Sequence, residues 1–243
     1  MSKTIAIVGA GEGIGFSVAE RFGKEGFQVA LLARNAEKTQ ALVERLAGQS
    51  IAAKGFKADV LEREGLTAAL HSVKEHFGPI DVLEYSPIPR GGFSPPRELG
   101  TEEQAYHLNL NVLGPIAAVQ AVLPDMLERK SGTILFTSAA SAQRPLIMTA
   151  SFGIAAGALL NYVRILNRDV SADGVFAGFV AIAGIVVPPG LDDSPNAAYF
   201  PAECPRVKSE DIAELHWKLN AERNNGEAVI GDIDRLYSLP GFR

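Results

Sequence analysis

Short apolar runs alternate with longer amphipathic stretches along the chain of 243 residues. Each apolar run has the length of a strand buried on both faces, and the stretches between the runs repeat apolar residues at helical spacing. This pattern predicts an α/β fold with a doubly wound parallel sheet of about seven strands and helices on both faces. The predicted strands are Thr4–Val8, Gln28–Leu32, Ile51–Lys57, Ile80–Tyr85, Gly132–Thr137, Val175–Ile182 and Ala228–Ile230.

Helices are predicted between successive strands, except where proline and glycine interrupt the pattern. The predicted helices are Gly13–Glu25, Ala36–Ala47, Glu62–Phe77, Thr101–Val122 with a continuation to Arg129, Ser151–Ser171 and Glu210–Glu222. Gly26 is placed to end the first helix, and Ser209 is predicted to cap the last one. Pro87–Leu99 and Val187–Pro205 are predicted loops. No change of composition divides the sequence, so residues 1–243 are predicted to form a single domain.

The glycine-rich stretch after the first strand carries the clearest chemical signal. Gly9, Gly13 and Gly15 follow a strand, open a helix and begin a βαβ unit, with Ile14 between the last two. The first glycine permits a sharp turn, and the others permit backbone amides to approach a phosphate closely. Because the free N–H groups and dipole of a helix N-terminus favour an anion, these residues are predicted to bind the pyrophosphate of a dinucleotide. The predicted sheet is therefore of the Rossmann type.

The residue after the second predicted strand bears on the choice between NADP and NAD. An acidic residue there binds the 2′-hydroxyl of NAD, whereas an arginine such as Arg34 suits the 2′-phosphate of NADP. The neighbouring Ala33 and Asn35 supply no carboxylate. NADP is therefore the predicted cofactor and NAD the weaker alternative, while a solvated surface charge is the other interpretation of Arg34.

Several short motifs resemble those of the short-chain dehydrogenase/reductase family, over essentially the whole chain. They are the glycine pattern, Asp59-Val60, Asn111-Val112-Leu113-Gly114, Ile134–Ser138 and Ser209–Ala213. The resemblance implies that Asp59 faces the adenine of the cofactor and that Val60 packs beside it. Cofactor contacts are also predicted at Tyr85 and Gly184, which stand where the family keeps its Asn-Asn-Ala-Gly and Pro-Gly motifs. For Tyr85, an aromatic side chain beneath the cofactor or in the core is the other interpretation. A homodimer or homotetramer formed through helices four and five is implied as well.

The chain departs from this family at the active site. The family keeps a Tyr-x-x-x-Lys motif on its fifth helix, and the corresponding positions here are Phe152 and Ala156. The family's serine position falls on Ala139, with Ser138 next to it. Asn111 is the family residue that remains, so Asn111 and Ser138 are the candidate catalytic residues.

The two substitutions on the fifth helix remove an acid and a cation. In the family, a hydride moves between nicotinamide and a carbonyl carbon while the tyrosine hydroxyl exchanges the proton of the oxygen. An unperturbed tyrosine has a pKa near 10, so the lysine charge is needed to bring it toward neutral pH. Phenylalanine has no proton to give, and the loss of a general acid costs about 10²–10⁴ in rate.

Three functions therefore stay open. The first is an NADP-linked oxidoreductase with a reworked active site, in which water, the substrate, Ser138 or Tyr85 supplies the proton. The second is a non-catalytic dinucleotide-binding or scaffold protein, and the third is a non-redox isomerase or lyase that uses the same pocket. Glu84 lies in a predicted buried strand and is expected to pair with Arg90 or Arg144; the alternative is an acid of raised pKa in the site.

Charge and composition bear on other classes of protein. The net charge is −5 and no basic stripe is present, so no nucleic-acid partner is predicted. No uninterrupted apolar run reaches the ~18 residues of a membrane span, and no signal peptide is recognisable, so a cytoplasmic protein without a membrane partner is predicted. The single cysteine, Cys204, suits a reducing compartment. The four histidines lack the spacing of metal ligands, so no metal site is predicted.

Overall fold

The computed structural model describes residues 2–240 and contains a seven-stranded parallel sheet flanked by helices. In chain order the strands are β1 (Thr4–Val8), β2 (Gln28–Ala33), β3 (Ala53–Lys57), β4 (Val82–Tyr85), β5 (Gly132–Ala139), β6 (Val175–Ala183), β7 (Ile185–Val187), β8 (Arg206–Lys208) and β9 (Glu227–Gly231). The order within the large sheet is β3-β2-β1-β4-β5-β6-β9, and the direction of winding reverses between β1 and β4. The predicted Rossmann-type fold is therefore confirmed, and ligands in such sheets bind beyond the carboxyl ends of the strands at this reversal.

Helices cover both faces of the sheet. They are α1 (Ile14–Lys24), α2 (Ala36–Ala47), α3 (Arg63–Phe77), α4 (Thr101–Leu108), α5 (Gly114–Glu128), α6 (Ala150–Val170), α7 (Ser209–Glu222) and α8 (Ile233–Ser238). Apolar residues of α1, α2 and α7 pack in one core, and those of α3, α5 and α6 pack in the other. Successive residues of β1 alternate between the two cores, as a strand buried on both faces requires.

The helix predicted from Thr101 to Arg129 is continuous but not uniform. A π-helical turn over Asn109–Leu113 joins α4 to α5, and the amide of Gly114 donates to the carbonyl of Asn109 across it. The turn interrupts the backbone hydrogen bonds of the α-helix between residues four apart. The carbonyl of Leu110 accepts a hydrogen bond of 2.7 Å from the hydroxyl of Tyr85 instead. A side chain at Gly114 would overlap this hydroxyl, so the glycine of the Asn-Val-Leu-Gly motif makes room for Tyr85.

Three short elements were not predicted from the sequence. The strands β7 and β8 form a parallel pair beyond the main sheet, and α8 follows β9. Three-residue strands and a six-residue helix are too short to give a periodic signal. The predicted cap at Ser209 is wrong: Lys208 occupies the capping position, and the Ser209 hydroxyl instead accepts a 2.8 Å hydrogen bond from that of Ser17 on α1.

Two helical stretches, Thr101–Glu128 and Ile147–Asp173, are long and apolar enough to span a membrane by length and composition. The sequence argument considered only uninterrupted apolar runs and therefore did not find them. About half of each apolar window is buried inside the fold, at 50% and 44%. Core helices of soluble proteins pass the same test, so the absence of a membrane partner stays a prediction.

The hydrogen bond from Tyr85 to Leu110 gives a prediction about stability. Tyr85→Phe leaves the buried Leu110 carbonyl without its donor, so the free energy of unfolding is expected to fall by about 1–3 kcal/mol. Urea unfolding followed by circular dichroism measures the change. Tyr199→Phe is the matched control, since Tyr199 is 83% exposed, and equal stability of the two variants would contradict the role given to Tyr85.

Candidate functional site

The glycine loop begins with a backbone conformation that few other residues adopt. Gly9 has a φ of +89°, and the amides of Gly9 and Ala10 donate to the carbonyl of Leu32 at 2.9 and 3.1 Å. A Cβ atom at Gly9 would lie 2.6 Å from the backbone of Pro87, which follows β4. Both the φ angle and this close approach exclude a side chain, so the loop holds the ends of β1, β2 and β4 together.

The N-terminus of α1 is open at the end of this loop. The helix begins at Ile14, and its capping residue, Gly13, provides no side-chain hydrogen bond. The first amides of a helix have no acceptor within the helix. Here the amide of Phe16 donates to the carbonyl of Gly11 at 2.9 Å, so the amides of Ile14 and Gly15 are the ones left at the positive end of the dipole. Gly15 packs against Ala10, where a Cβ would approach the backbone to 2.8 Å. Anion binding by Gly13, Ile14 and Gly15 stays a prediction.

Arg34 follows β2 at the same edge of the sheet and is partly exposed. Its guanidinium has no ion pair or hydrogen bond with any residue between 2 and 240. Asn35 then caps α2 by accepting a 2.9 Å hydrogen bond from the amide of Lys38. An unpaired guanidinium beside a helix N-terminus is a suitable environment for a phosphate.

The remaining cofactor residues predicted from the sequence are at the carboxyl edge but differ in accessibility. The Asp59 carboxylate accepts the amide of Leu61 at 3.0 Å, and Val60 is buried beside it. Gly184 joins β6 to β7, and a Cβ there would lie 2.6 Å from the carbonyl of Pro205, so this glycine permits the small sheet to pack closely.

Tyr85 is not exposed to a ligand. Its side chain is 2% exposed, packs against Phe136, and donates its hydroxyl proton to Leu110. Burial, with a smaller effect from the charge of Asp59, raises the pKa of Tyr85 well above its usual value. The expectation that Tyr85 contacts the cofactor or supplies a proton is therefore wrong for this conformation, because the hydroxyl is committed to the π-helical turn.

The residues aligned with the family's catalytic positions lie around the end of β5 and the start of α6. Asn111 is buried in the π-helical turn, and its side-chain amide donates to the carbonyl of His107 at 3.1 Å. Phe152 and Ala156 lie one turn apart on α6, with Ala156 fully buried. The Ser138 hydroxyl is buried on β5 without a hydrogen-bond partner in the described part of the chain. Strand alternation directs Ser138 and Ala139 to opposite faces of the sheet.

Glu84 does not pair with Arg90 or Arg144, contrary to expectation. Arg144 pairs instead with Asp234 at 2.6 Å. The Glu84 carboxyl is fully buried and lies 2.9 Å from the hydroxyl of Thr137 and 3.0 Å from that of Ser86. Burial raises the pKa of Glu84 to about 8, against the lowering effect of these two hydroxyls.

His216 of α7 completes this buried group. Its Nε2 atom is 2.8 Å from the Thr137 hydroxyl and 3.8 Å from the Glu84 carboxyl, and its Nδ1 atom is 2.8 Å from the carbonyl of Ile212. Because a carbonyl only accepts, Nδ1 carries a proton. Burial lowers the pKa of His216 to about 4, so Nε2 is an acceptor at neutral pH.

The Thr137 hydroxyl has one proton for two neighbours. It donates that proton to Nε2 of neutral His216, so its contact with Glu84 requires a donor on the carboxyl group. Glu84 is therefore held as the neutral acid, in agreement with its raised pKa. Ionisation of Glu84 would leave Thr137 with two acceptors and a single proton, which is a costly arrangement in a fully buried site.

This buried group predicts how stability depends on pH. The unfolded chain releases the Glu84 proton near pH 4.5 and the folded protein near pH 8, while His216 ionises near pH 6.5 unfolded and about pH 4 folded. The two effects oppose each other between pH 4.5 and 6.5. From pH 6.5 to 8, Glu84 is ionised in the unfolded chain but still protonated in the folded protein. The contribution of Glu84 to the free energy of unfolding is therefore expected to fall by up to about 1.4 kcal/mol per pH unit.

Glu84→Gln tests this assignment, because the amide donates to Thr137 as the neutral acid does and its oxygen accepts from Ser86. Urea unfolding between pH 6.5 and 8 is expected to show a flatter pH dependence than in the wild type. Glu128→Gln, at an exposed position, is the matched control and should keep the wild-type slope. An unchanged slope in Glu84→Gln would mean that Glu84 is already ionised at pH 6.5.

The sequence analysis missed two residues beside Phe152. The ring of His107 on α4 has its centroid 6.1 Å from that of Phe152, and its Nε2 atom is 3.9 Å from the carboxylate of Glu103. Glu103, His107 and Asn111 are spaced four residues apart, which places them on one helical face. This spacing, ending in the Asn-Val-Leu-Gly motif, is the signal that could have identified them.

The predicted loop Pro87–Leu99 packs against Phe152, His107 and Glu103. Phe93 packs against Phe152 and His107, with ring centroids 5.5 and 6.2 Å apart. The hydroxyl of Ser94 donates to Glu103 at 2.7 Å, and the amide of Ser94 donates to the hydroxyl of Ser151 at 3.2 Å. The predicted loop Pro87–Leu99 is thus attached to α4 and α6.

Comparison with known proteins agrees with this geometry. The sequence model of the short chain dehydrogenase family matches residues 3–196. The chain therefore belongs to the short-chain dehydrogenase family, a family of oxidoreductases, and the resemblance seen in its motifs is confirmed. Among curated relatives, glucose 1-dehydrogenase 2 of Bacillus subtilis (strain 168) is 26% identical over 195 residues, which cover 78% of this chain and 74% of the relative.

Solved structures of low sequence identity share the fold. L-Sorbose reductase from Gluconobacter frateurii, complexed with NADPH and L-sorbose, is 22% identical, with a TM-score of 0.81 and coverage of 95% of both chains. A xylitol dehydrogenase with bound NAD⁺ is 21% identical, with a TM-score of 0.84 over 94% of this chain and 97% of that one. Both NADP(H) and NAD are thus found on this fold.

Proposed function

We propose that the protein is an NADP-dependent oxidoreductase whose active site uses a proton donor other than the family's tyrosine. The observation that carries the proposal is the open N-terminus of α1 behind the glycine loop, at the reversal of strand order, with an unpaired Arg34 beside it. The N-terminal amides would hold the pyrophosphate, and Arg34 the 2′-phosphate. When bound, the cofactor supplies or accepts a hydride at its nicotinamide ring.

The preference for NADP over NAD rests on charge. No carboxylate follows β2 to receive a 2′-hydroxyl, and the Arg34 guanidinium is free to pair with a phosphate. The L-sorbose reductase neighbour is complexed with NADPH, whereas the xylitol dehydrogenase neighbour binds NAD⁺, so the fold accommodates either one. Asp59, Val60 and Gly184 are proposed to contact the cofactor, as the family resemblance implies.

Arg34→Ala tests the cofactor site. Loss of a charge-assisted contact to the 2′-phosphate is expected to weaken NADPH binding by about 10–100-fold, while NADH binding changes little. Isothermal titration calorimetry measures both affinities. Arg168→Ala removes an exposed arginine at the end of α6 and serves as the control. Equal losses for NADPH and NADH would exclude a 2′-phosphate contact, and no binding of either by the wild type at millimolar concentration would refute the proposed function.

Phe152 and Ala156 are the reason for proposing an unusual proton donor. Phenylalanine exchanges no proton, and alanine provides no charge. Ser138 has a buried hydroxyl without a partner in residues 2–240, and Asn111 lies on the π-helical turn, so both are retained as candidate catalytic residues. A non-catalytic dinucleotide-binding protein is the second candidate, because the loop at Phe93 fills the space against Phe152. An isomerase or lyase using the same pocket is the third.

The double substitution Phe152→Tyr with Ala156→Lys separates these candidates. If the rest of the pocket accepts a carbonyl substrate, the restored acid and cation are expected to raise NADPH-dependent reduction by about 10²-fold or more. Absorbance of NADPH with a panel of small aldehydes and ketones measures the rate. Phe152→Tyr alone is the control, because an isolated tyrosine keeps a pKa near 10. A folded double variant that binds NADPH without turnover would favour the non-catalytic candidate.

A homodimer or homotetramer is also proposed. Ile154 and Ile165 are exposed on α6, and Ile147 and Met148 are exposed just before it. Apolar side chains on the outer face of one helix are typical of an interface between subunits. A cytoplasmic location is proposed from the single cysteine, which suits a reducing compartment.

A further inference from the structure

His107 has the surroundings of an acid–base residue. It belongs to the face of α4 that carries Glu103 and Asn111, and its side chain is only 1% exposed. Its ring lies edge-on to Phe152, at 86° between the planes. Since Phe152 stands where the family keeps its catalytic tyrosine, the imidazole packs against the side chain that replaces that tyrosine.

The hydrogen bonding of His107 is incomplete. Nδ1 is buried and has no partner within residues 2–240, and the nearest oxygen of Glu103, Oε1, also lacks a hydrogen-bond partner there. Buried polar atoms are nearly always paired with protein, water or ligand. The buried hydroxyls of Ser138 and Ser141 are likewise unpaired, and a Cβ on Gly153, the residue after Phe152, would lie 3.6 Å from Ser141.

The charge of Glu103 favours a proton on the nearer nitrogen of His107. Its Oε1 atom is 3.9 Å from Nε2, which is an electrostatic contact rather than a hydrogen bond, and its Oε2 atom accepts the hydroxyl proton of Ser94. A proton on Nε2 of the neutral imidazole leaves a lone pair on Nδ1. Hydrogen bonds from Ser94 and Ser151 lower the pKa of Glu103, so it stays ionised at neutral pH. A histidine oriented by a carboxylate is a well-established arrangement for moving a proton.

We propose that Nδ1 of His107 exchanges the proton of the substrate oxygen in the oxidoreductase reaction, with Glu103 as the positioning residue. This inference depends on the proposed function. In alcohol oxidation, the O–H bond breaks, the proton passes to Nδ1, and the C–H electron pair leaves as hydride for NADP⁺. In carbonyl reduction, the carbonyl carbon gains the hydride from NADPH and the oxygen takes the proton from Nδ1, which is then restored from solvent.

The charges around His107 set its pH dependence. Among residues 2–240, the titratable groups in contact with the ring are Glu103 and Tyr106, both on α4. Phe152 of α6 and Phe93 of the loop pack against it and carry no charge. Burial lowers the pKa of His107, and the charge of Glu103 partly offsets this effect. The rate of alcohol oxidation should therefore rise with pH through this pKa, and the rate of carbonyl reduction should fall.

The proposal can be tested without knowing the substrate. NADP⁺ carries a positive charge on its nicotinamide ring that NADPH lacks, and a nearby charge disfavours a second positive charge. The pKa of His107 is therefore expected to be lower with NADP⁺ than with NADPH by at least ~0.5. Nuclear magnetic resonance of ¹³C-labelled histidine measures this value, with His71, exposed on α3, as the internal control. Equal pKa values for His107 in the two complexes would overturn the proposal.

Two variants extend the test. Glu103→Gln is expected to lower the pKa of His107 in the complex with NADPH, because the imidazolium loses its anionic neighbour; an unchanged pKa would overturn the positioning role. With any carbonyl that the wild type reduces, His107→Gln is expected to lower kcat about 10²-fold or more while the Kd for NADPH stays within about twofold. His71→Gln is the control, and an unchanged kcat in His107→Gln would overturn the proposal.

Failure of the inference and failure of the proposed function give different results. If neither nicotinamide cofactor binds, the titrations with NADP⁺ and NADPH match that of the free protein and the proposed function itself is refuted. If the cofactors bind, as a change in the melting temperature would show, and the pKa of His107 is the same with both, the proposed function stands and His107 is excluded. Binding together with different pKa values supports both.

Discussion

The crossing of Gly9 and Pro87 is the contact on which the ligand-binding edge depends. The chain leaves β1 at a positive φ and passes so close to Pro87 that no side chain fits between them. This contact brings the ends of β1 and β4 together where the order of the strands reverses. The turn leads directly into the N-terminus of α1, which has no side-chain cap. A side chain at Gly9 would therefore disturb the start of α1 as well as the turn.

Beneath this edge, the protein keeps polar groups in positions where apolar ones could fill the same space. Glu84, Thr137 and His216 come from β4, β5 and α7 and share their protons in a buried position. Tyr85 points to the opposite side and supports the π-helical turn. Neutral groups in these positions avoid the cost of buried charge, while their directional hydrogen bonds fix how the helices sit against the sheet.

The sequence predicted the features that depend on local pattern. Strands from β1 to β6, the main helices and the glycine turn that opens α1 follow from hydrophobic periodicity and glycine spacing. The roles of Tyr85 and Glu84 could not be predicted, because their partners, Leu110 and His216, lie far away in sequence and only the folded structure brings them close. Ser209 was misassigned for a similar reason, since its hydroxyl meets Ser17 of another helix.

The hydrogen bond from Ser94 to Glu103 connects the loop Pro87–Leu99 with the surroundings of His107. One carboxylate, that of Glu103, anchors the loop through Ser94 and also faces His107. Phe93 of the same loop packs against Phe152. A movement of this loop that breaks the contact of Ser94 with Glu103 therefore also changes the electrostatic environment of the His107 imidazole.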